Sequence, residues 1–182
     1  MFSLLSSIAI TNIIYLTLGK LFAKININNL KDFSEVAIIG FIYSSFLALF
    51  VNFFAPLSII INTLIILIIS FIFFFKKKNF NKKELLILLI TIFFCFFVIT
   101  LDTINRPDAG MYHLPFIKIL NEEKIIFGLA NLHFRFGHIS IIQYSSAINN
   151  NFFTSDIGIL IPLISIYSFL TFYFLGDILN FL

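Results

Sequence analysis

All three histidines of the chain (His113, His133 and His138) and both arginines (Arg106 and Arg135) lie between Asp102 and Thr154. Asp102, Asp108, Glu122 and Glu123 share that stretch. These residue types can do acid–base and anion chemistry. A carboxylate at a membrane surface can take the proton of an attacking hydroxyl. An arginine fork can bind two oxygens of a phosphate. A histidine can do either, or hold the carboxylate in place. Ionisable groups beside a bilayer are costly unless wet or paired, so such a cluster marks a functional candidate. The set suits a substrate whose phosphate head group sits at the lipid surface. Asp108 also has a plainer reading, as the N-cap of a short helix, and the whole stretch one as a solvated outer loop. Histidine spacings of twenty and five residues contain no His-x-x-x-His pair, so no metal ligand is assigned.

Within the stretch, Leu114, Ile117 and Leu120 recur at three-residue spacing, joined by Phe116 and Ile119, while Lys118, Glu122 and Glu123 are polar. This predicts an amphipathic helix lying in the interface plane, anchored by Tyr112 and kinked or restarted at Pro115. Further on, Leu132, Phe134 and Phe136 alternate with His133 and Arg135. An extended backbone there would put His133 and Arg135 on one side, with Gly128 and Gly137 as turn points. Ser140 to Asn149 reads as a second interfacial helix or a re-entrant one, too short to span alone.

The rest of the chain must position this loop, and it is built for lipid. Hydrophobic residues make up 60% of the 182 and charged ones 12%, with a mean hydropathy of +1.05. That is too few charges to clothe a soluble surface. Phe and Ile are abundant, Asn and Lys are prominent among the polar residues, and Trp is absent, the bias an AT-rich genome produces. The expected architecture is an all-α, polytopic membrane helix bundle of about five spans. These are Phe2–Ala23, Ser34–Phe53, Pro56–Phe75, Glu84–Leu101 and Ser155–Leu175. The first reads as a span, not a cleavable leader, because no basic segment precedes it. Residues 1–101 thus hold four spans, 102–154 the outer loop and 155–182 the fifth span. The short connector at Asn52–Pro56 predicts a tight hairpin, with Pro56 in a first helical turn. A path across the bilayer would need polar or broken helices, and Thr11, Asn12, Asn62, Thr63 and Pro162 are what hints at one. The lone cysteine, Cys95, sits in an apolar run, so no disulfide framework exists.

Lys76, Lys77, Lys78, Lys82 and Lys83 cluster between the third and fourth spans. Positive residues mark cytoplasmic loops. Loop 76–83 is therefore expected in the cytoplasm of a plasma (inner) membrane protein, and the N-terminus and loop 102–154 outside. Lys20, Lys24 and Lys31 then also face inward, against Arg106, Lys118, Lys124 and Arg135 outside. The net charge of +3 is spread between apolar runs and makes no nucleic-acid patch. Ending at Asn180-Phe181-Leu182, just past a helix, the chain reads as a truncated product or the N-terminal part of a longer protein.

Two blocks add a resemblance: Asp108-Ala-Gly-Met-Tyr-His-Leu-Pro, and Gly128-Leu-Ala-Asn-Leu-His-Phe-Arg-Phe-Gly-His-Ile-Ser. The chain resembles a group of uncharacterised bacterial multi-pass membrane proteins that carry both blocks in an early outer loop. That group looks like the GT-C glycosyltransferases, which use polyprenyl-phosphate sugars. The resemblance implies that Asp108 is the loop acid, the general base for the acceptor hydroxyl. It implies that Tyr112 and His113 line the same pocket, and that His133 and Arg135, with His138 nearby, hold the donor phosphate. Implied partners are membrane lipids, a polyprenyl-phosphate-linked sugar, and a glycan or lipid acceptor. No cofactor is implied, and a divalent cation is left open. The chain departs from GT-C enzymes in having four spans before the loop and fewer helices in all. Two non-enzymatic alternatives stand beside it: a transporter or flippase of lipid-linked glycans, and an assembly subunit.

Overall fold

Long apolar runs hydrogen-bond their own backbone in lipid, where no water can do so, and helices result. The computed structural model describes residues 2–23, 25–75, 80–102, 107–132, 134–137 and 140–181, and contains no strand among them. The long helices are α1 (Phe2–Phe22), α2 (Leu30–Asn52), α3 (Ile59–Phe75), α4 (Lys82–Leu101) and α7 (Ile161–Phe181). Two short helices lie between α4 and α7: α5 (Leu114–Glu122) and α6 (Ile141–Ile148). The chain is an all-α bundle of membrane helices. Among the described residues, four segments are long and apolar enough to cross a bilayer: α1, α2, α4 and Ser155–Leu179, the last entered through a 3₁₀ turn at Ser155–Leu160. At 1.5 Å per residue these match a hydrocarbon layer of about 30 Å. The fifth apolar helix, α3, has 17 residues.

Polar caps set several boundaries that hydropathy alone misses. α2 starts at Leu30, four residues earlier than expected, because the Asn29 side chain accepts the Asp32 N–H. α4 starts at Lys82, where Asn81 and Glu84 form a reciprocal capping box. α3 starts later than expected, leaving Pro56 outside it. The Leu57 N–H donates to the Leu120 carbonyl, and the Asn62 amide caps the Leu57 carbonyl, so both groups are taken before the helix begins. The connector to α3 is short, yet α2 and α3 do not close as a hairpin. α3 packs chiefly against α1, through Ile66 and Ile69 on Ile14 and Leu18. The connector is instead bonded to the end of α5, by the Ile125 N–H to the Asn52 carbonyl and by the Asn52 amide to the Leu120 and Glu123 carbonyls.

Lipid tails are as apolar as leucine, so helices in a bilayer associate by close fit and by polar contacts. α1 and α2 show both. A Cβ on Gly40 would run into the Tyr15 carbonyl, and one on Gly19 into the Val36 carbonyl. α7 then packs on α2, and α4 on α1 and α7. At the end of the bundle where α1 ends and α4 begins, three contacts tie the elements together. Lys20 Nζ pairs with Glu84 at 2.8 Å, both largely buried, and Lys31 Nζ pairs with Asp177 at 2.6 Å. Lys83 donates to the Asn28 carbonyl. The 102–154 loop lies at the other end, beside the start of α1, where the Ser7 hydroxyl donates to the Thr154 carbonyl.

Candidate functional site

The loop folds onto the bundle in two layers. α5 is amphipathic as its spacing predicts, and buries Phe116, Ile117 and Leu120. Pro115 does not kink it but lies in its first turn. Proline cannot donate a backbone N–H, and just before it the helix widens into a π turn at Ala109–His113, where the Leu114 N–H reaches back five residues to the Ala109 carbonyl. Such widened turns recur at functional sites.

The inner layer is α6, which packs on α2 and is hydrogen-bonded to α1. Gln143 to Asn151 are all buried. Tyr15 Oη bonds Ser145 Oγ at 2.7 Å, Asn149 Nδ2 donates to Tyr15 Oη at 2.9 Å, and Thr11 Oγ1 donates to Asn149 Oδ1 at 3.1 Å. Thr11 lies about 14 Å along α1 from Phe2, at 1.5 Å per residue. Non-helical backbone at such depth persists only where protein satisfies it, and asparagines do so here. Asn62 Nδ2 lies within 2.9 Å of the Leu57, Ala147 and Asn150 carbonyls. Asn121 Nδ2 reaches the Leu57 and Ala147 carbonyls, and Thr63 Oγ1 accepts the Phe152 N–H. Thr11, Asn62 and Thr63 thus hold this segment, whereas the Asn12 amide donates within α1 to the Ile8 carbonyl. Burial also raises the Tyr144 phenol above its ordinary range.

On this floor stands the polar cluster. Asp108 does not cap a helix: it has helical backbone angles and makes no side-chain capping bond. Its carboxylate instead accepts from Arg135 Nη1 at 3.2 Å. Arg135 also lies over the Tyr112 ring, 5.1 Å from its centroid, and near the Phe134 ring. The Tyr112 and His113 rings are 4.2 Å apart, and His113 Nδ1 meets Gln143 Nε2 at 2.9 Å. Asp108, Tyr112, His113 and Arg135 therefore form one chain of contacts that ends on α6. His133 and His138 lie outside the described residues.

Arg135 is delivered by a turn, not by the extended strand that alternation suggested. Gly128, at φ 81, starts a 3₁₀ turn at Leu129–Asn131, and a second runs from Phe134 to Gly137. Left-handed backbone of that kind favours glycine. Buried Leu129 and the ring of Phe136, 6.1 Å from Phe116, hold these turns on α5 and α6. With a three-residue turn, Phe134 and Phe136 no longer share a face. Gln143 and, apart from Asn62, the asparagines of the frame were not singled out in the sequence, because one amide in an Asn-rich chain carries no local signal. Among the described residues, no group of three His, Cys, Asp or Glu side chains is placed to hold a metal.

Fold and site together define a helical membrane protein whose ionisable cluster sits on a short buried helix at one end of the bundle. The whole chain, residues 1–182, matches the model of the family described as "Domain of unknown function (DUF8201)", and the protein belongs to that family. No curated protein and no solved structure matches it.

Proposed function

We propose that this protein is a GT-C-like membrane glycosyltransferase, or the part of one that carries the acid and the phosphate-binding arginine. The observation that carries this reading is the Asp108–Arg135 contact at 3.2 Å, against Tyr112, next to an amphipathic helix. In the transfer, Asp108 takes the proton of the acceptor hydroxyl. The acceptor oxygen bonds the anomeric carbon as the bond from that carbon to the donor phosphate oxygen breaks. The electron pair leaves with the polyprenyl phosphate, whose charge Arg135 meets as a fork. Asp108 and Arg135 are within reach of one another, as a base and a leaving-group cation must be when acceptor and donor meet.

The same reading puts the loop on the outer face of a plasma membrane. Lys20, Lys31 and Lys82–Lys83 gather at the opposite end of the bundle, as a cytoplasmic end requires. A transporter would need polar groups lining a path across the bilayer. Thr11, Asn62 and Thr63 are instead bonded to the buried segment around α6, which favours the transferase over that alternative.

The test is Asp108→Asn in the complete native locus, with surface glycans analysed and membrane level of the protein measured in parallel. Loss of a sugar at normal protein level is expected. Unchanged glycans at normal level would leave Asp108 as a structural partner of Arg135 and move the assembly-subunit reading ahead.

A further inference from the structure

The α6 capping box fixes more than a helix end. Ser140 Oγ accepts the Ile142 N–H, and Gln143 Oε1 accepts the Ser140 N–H at 3.0 Å. A backbone N–H can only donate, so the oxygen of the Gln143 amide must face it, and the opposite orientation would set two donors against each other. The NH₂ end of the same amide then faces His113 Nδ1, at 2.9 Å. An amide NH₂ can only donate as well. Gln143 is itself buried, 6% exposed, which leaves the amide little room to turn.

We infer that Gln143 is a positioning residue that locks His113 in its Nε2–H tautomer. His113 Nδ1 is then an occupied acceptor, and a neutral imidazole with its lone pair on Nδ1 carries its proton on Nε2. His113 therefore presents a hydrogen-bond donor and no free basic nitrogen. It does not compete with Asp108 as the base. It recognises an acceptor oxygen on the ligand, and the tautomer decides this without reference to any particular reaction. That the oxygen belongs to a phosphate rests on the transferase reading. The device links ligand recognition to α6, because the amide that sets the tautomer also caps that helix.

The test is nitrogen-15 spectroscopy of histidine-labelled full chain in lipid nanodiscs, with the His113 signals assigned from their loss in His113→Asn. The expected pattern has Nδ1 bare and Nε2 protonated. Q143E keeps an oxygen for the Ser140 N–H but puts an acceptor against Nδ1, and the His113 proton should then appear on Nδ1. Q143A removes both contacts and should give mixed tautomers, which serves if Q143E does not accumulate. A wild-type proton on Nδ1, or a pattern unchanged in both variants, would overturn the inference. Adding polyprenyl monophosphate, and separately inorganic phosphate, tests the ligand. A moved Nε2–H signal with either supports a phosphate oxygen, and from the lipid alone it assigns the source to a lipid head group. No movement with either, the tautomer intact, removes the phosphate assignment and counts against the transferase reading, while the lock itself stands.

Discussion

Asp108 and Arg135 are good functional probes because their contact is mostly wet. The Asp108 side chain is 60% exposed and that of Arg135 36%. Pairs this exposed contribute about 0–1 kcal/mol, with about 0.5–1 kcal/mol more from a cation over an aromatic face. A double-mutant cycle of Asp108→Ala and Arg135→Ala, read by thermal unfolding in micelles, should therefore give a coupling below about 1 kcal/mol. Coupling of several kcal/mol would show the pair to be structural. The residue types of the site were legible, since Asp108, Tyr112, His113 and Arg135 stand out against an apolar chain. Their contacts were not. The partner of Asp108 lies 27 residues away, and an aspartate before a short helix looks the same in sequence whether it caps that helix or reaches past it.

The buried segment around α6 stands or falls with its asparagines. Each buried carbonyl left without a donor costs about 1–3 kcal/mol. Asn62→Ala removes the contacts to the Leu57, Ala147 and Asn150 carbonyls, of which Asn121 still reaches the first two. The expected result is faster amide exchange across 141–151 at a cost of about 1–3 kcal/mol, with the long helices still protected. Exchange unchanged in that segment would mean Asn62 does not hold it. Eight residues of α6 could not be placed from their own pattern, because Ile141–Ile148 suits either a surface or an interior. What decides is Thr11 and Tyr15, more than a hundred residues earlier. The amphipathic α5 was legible because its partners on the floor below are simply apolar, and any apolar surface satisfies such a face.

At the scale of the molecule, long-run hydropathy sets the bundle and single polar residues trim it. The five long apolar helices were legible from run length, although α3 is shorter than the span expected there, whereas α3 leaving α2 for α1 was not, since it depends on the α5 end capturing the connector. The far end is tied by Lys20 and Glu84, with side chains 14% and 5% exposed. Glu84→Gln keeps an oxygen for the Asn81 N–H but removes the Glu84 charge from Lys20 and should cost about 3 kcal/mol, while Lys20→Met with Glu84→Gln removes both charges, keeps the cap and should cost less. Unfolding in mixed detergent checks this, and a double variant as damaged as the single would argue against a charge effect. The central claim, however, is that the loop cluster receives a lipid phosphate. The most direct measurement is binding of polyprenyl monophosphate to the reconstituted full chain, wild type against Arg135→Ala. A charge-assisted hydrogen bond to phosphate is worth about 1.5–3 kcal/mol, so the variant should bind roughly tenfold more weakly or worse. Equal affinity, or no binding by the wild type, would contradict the account.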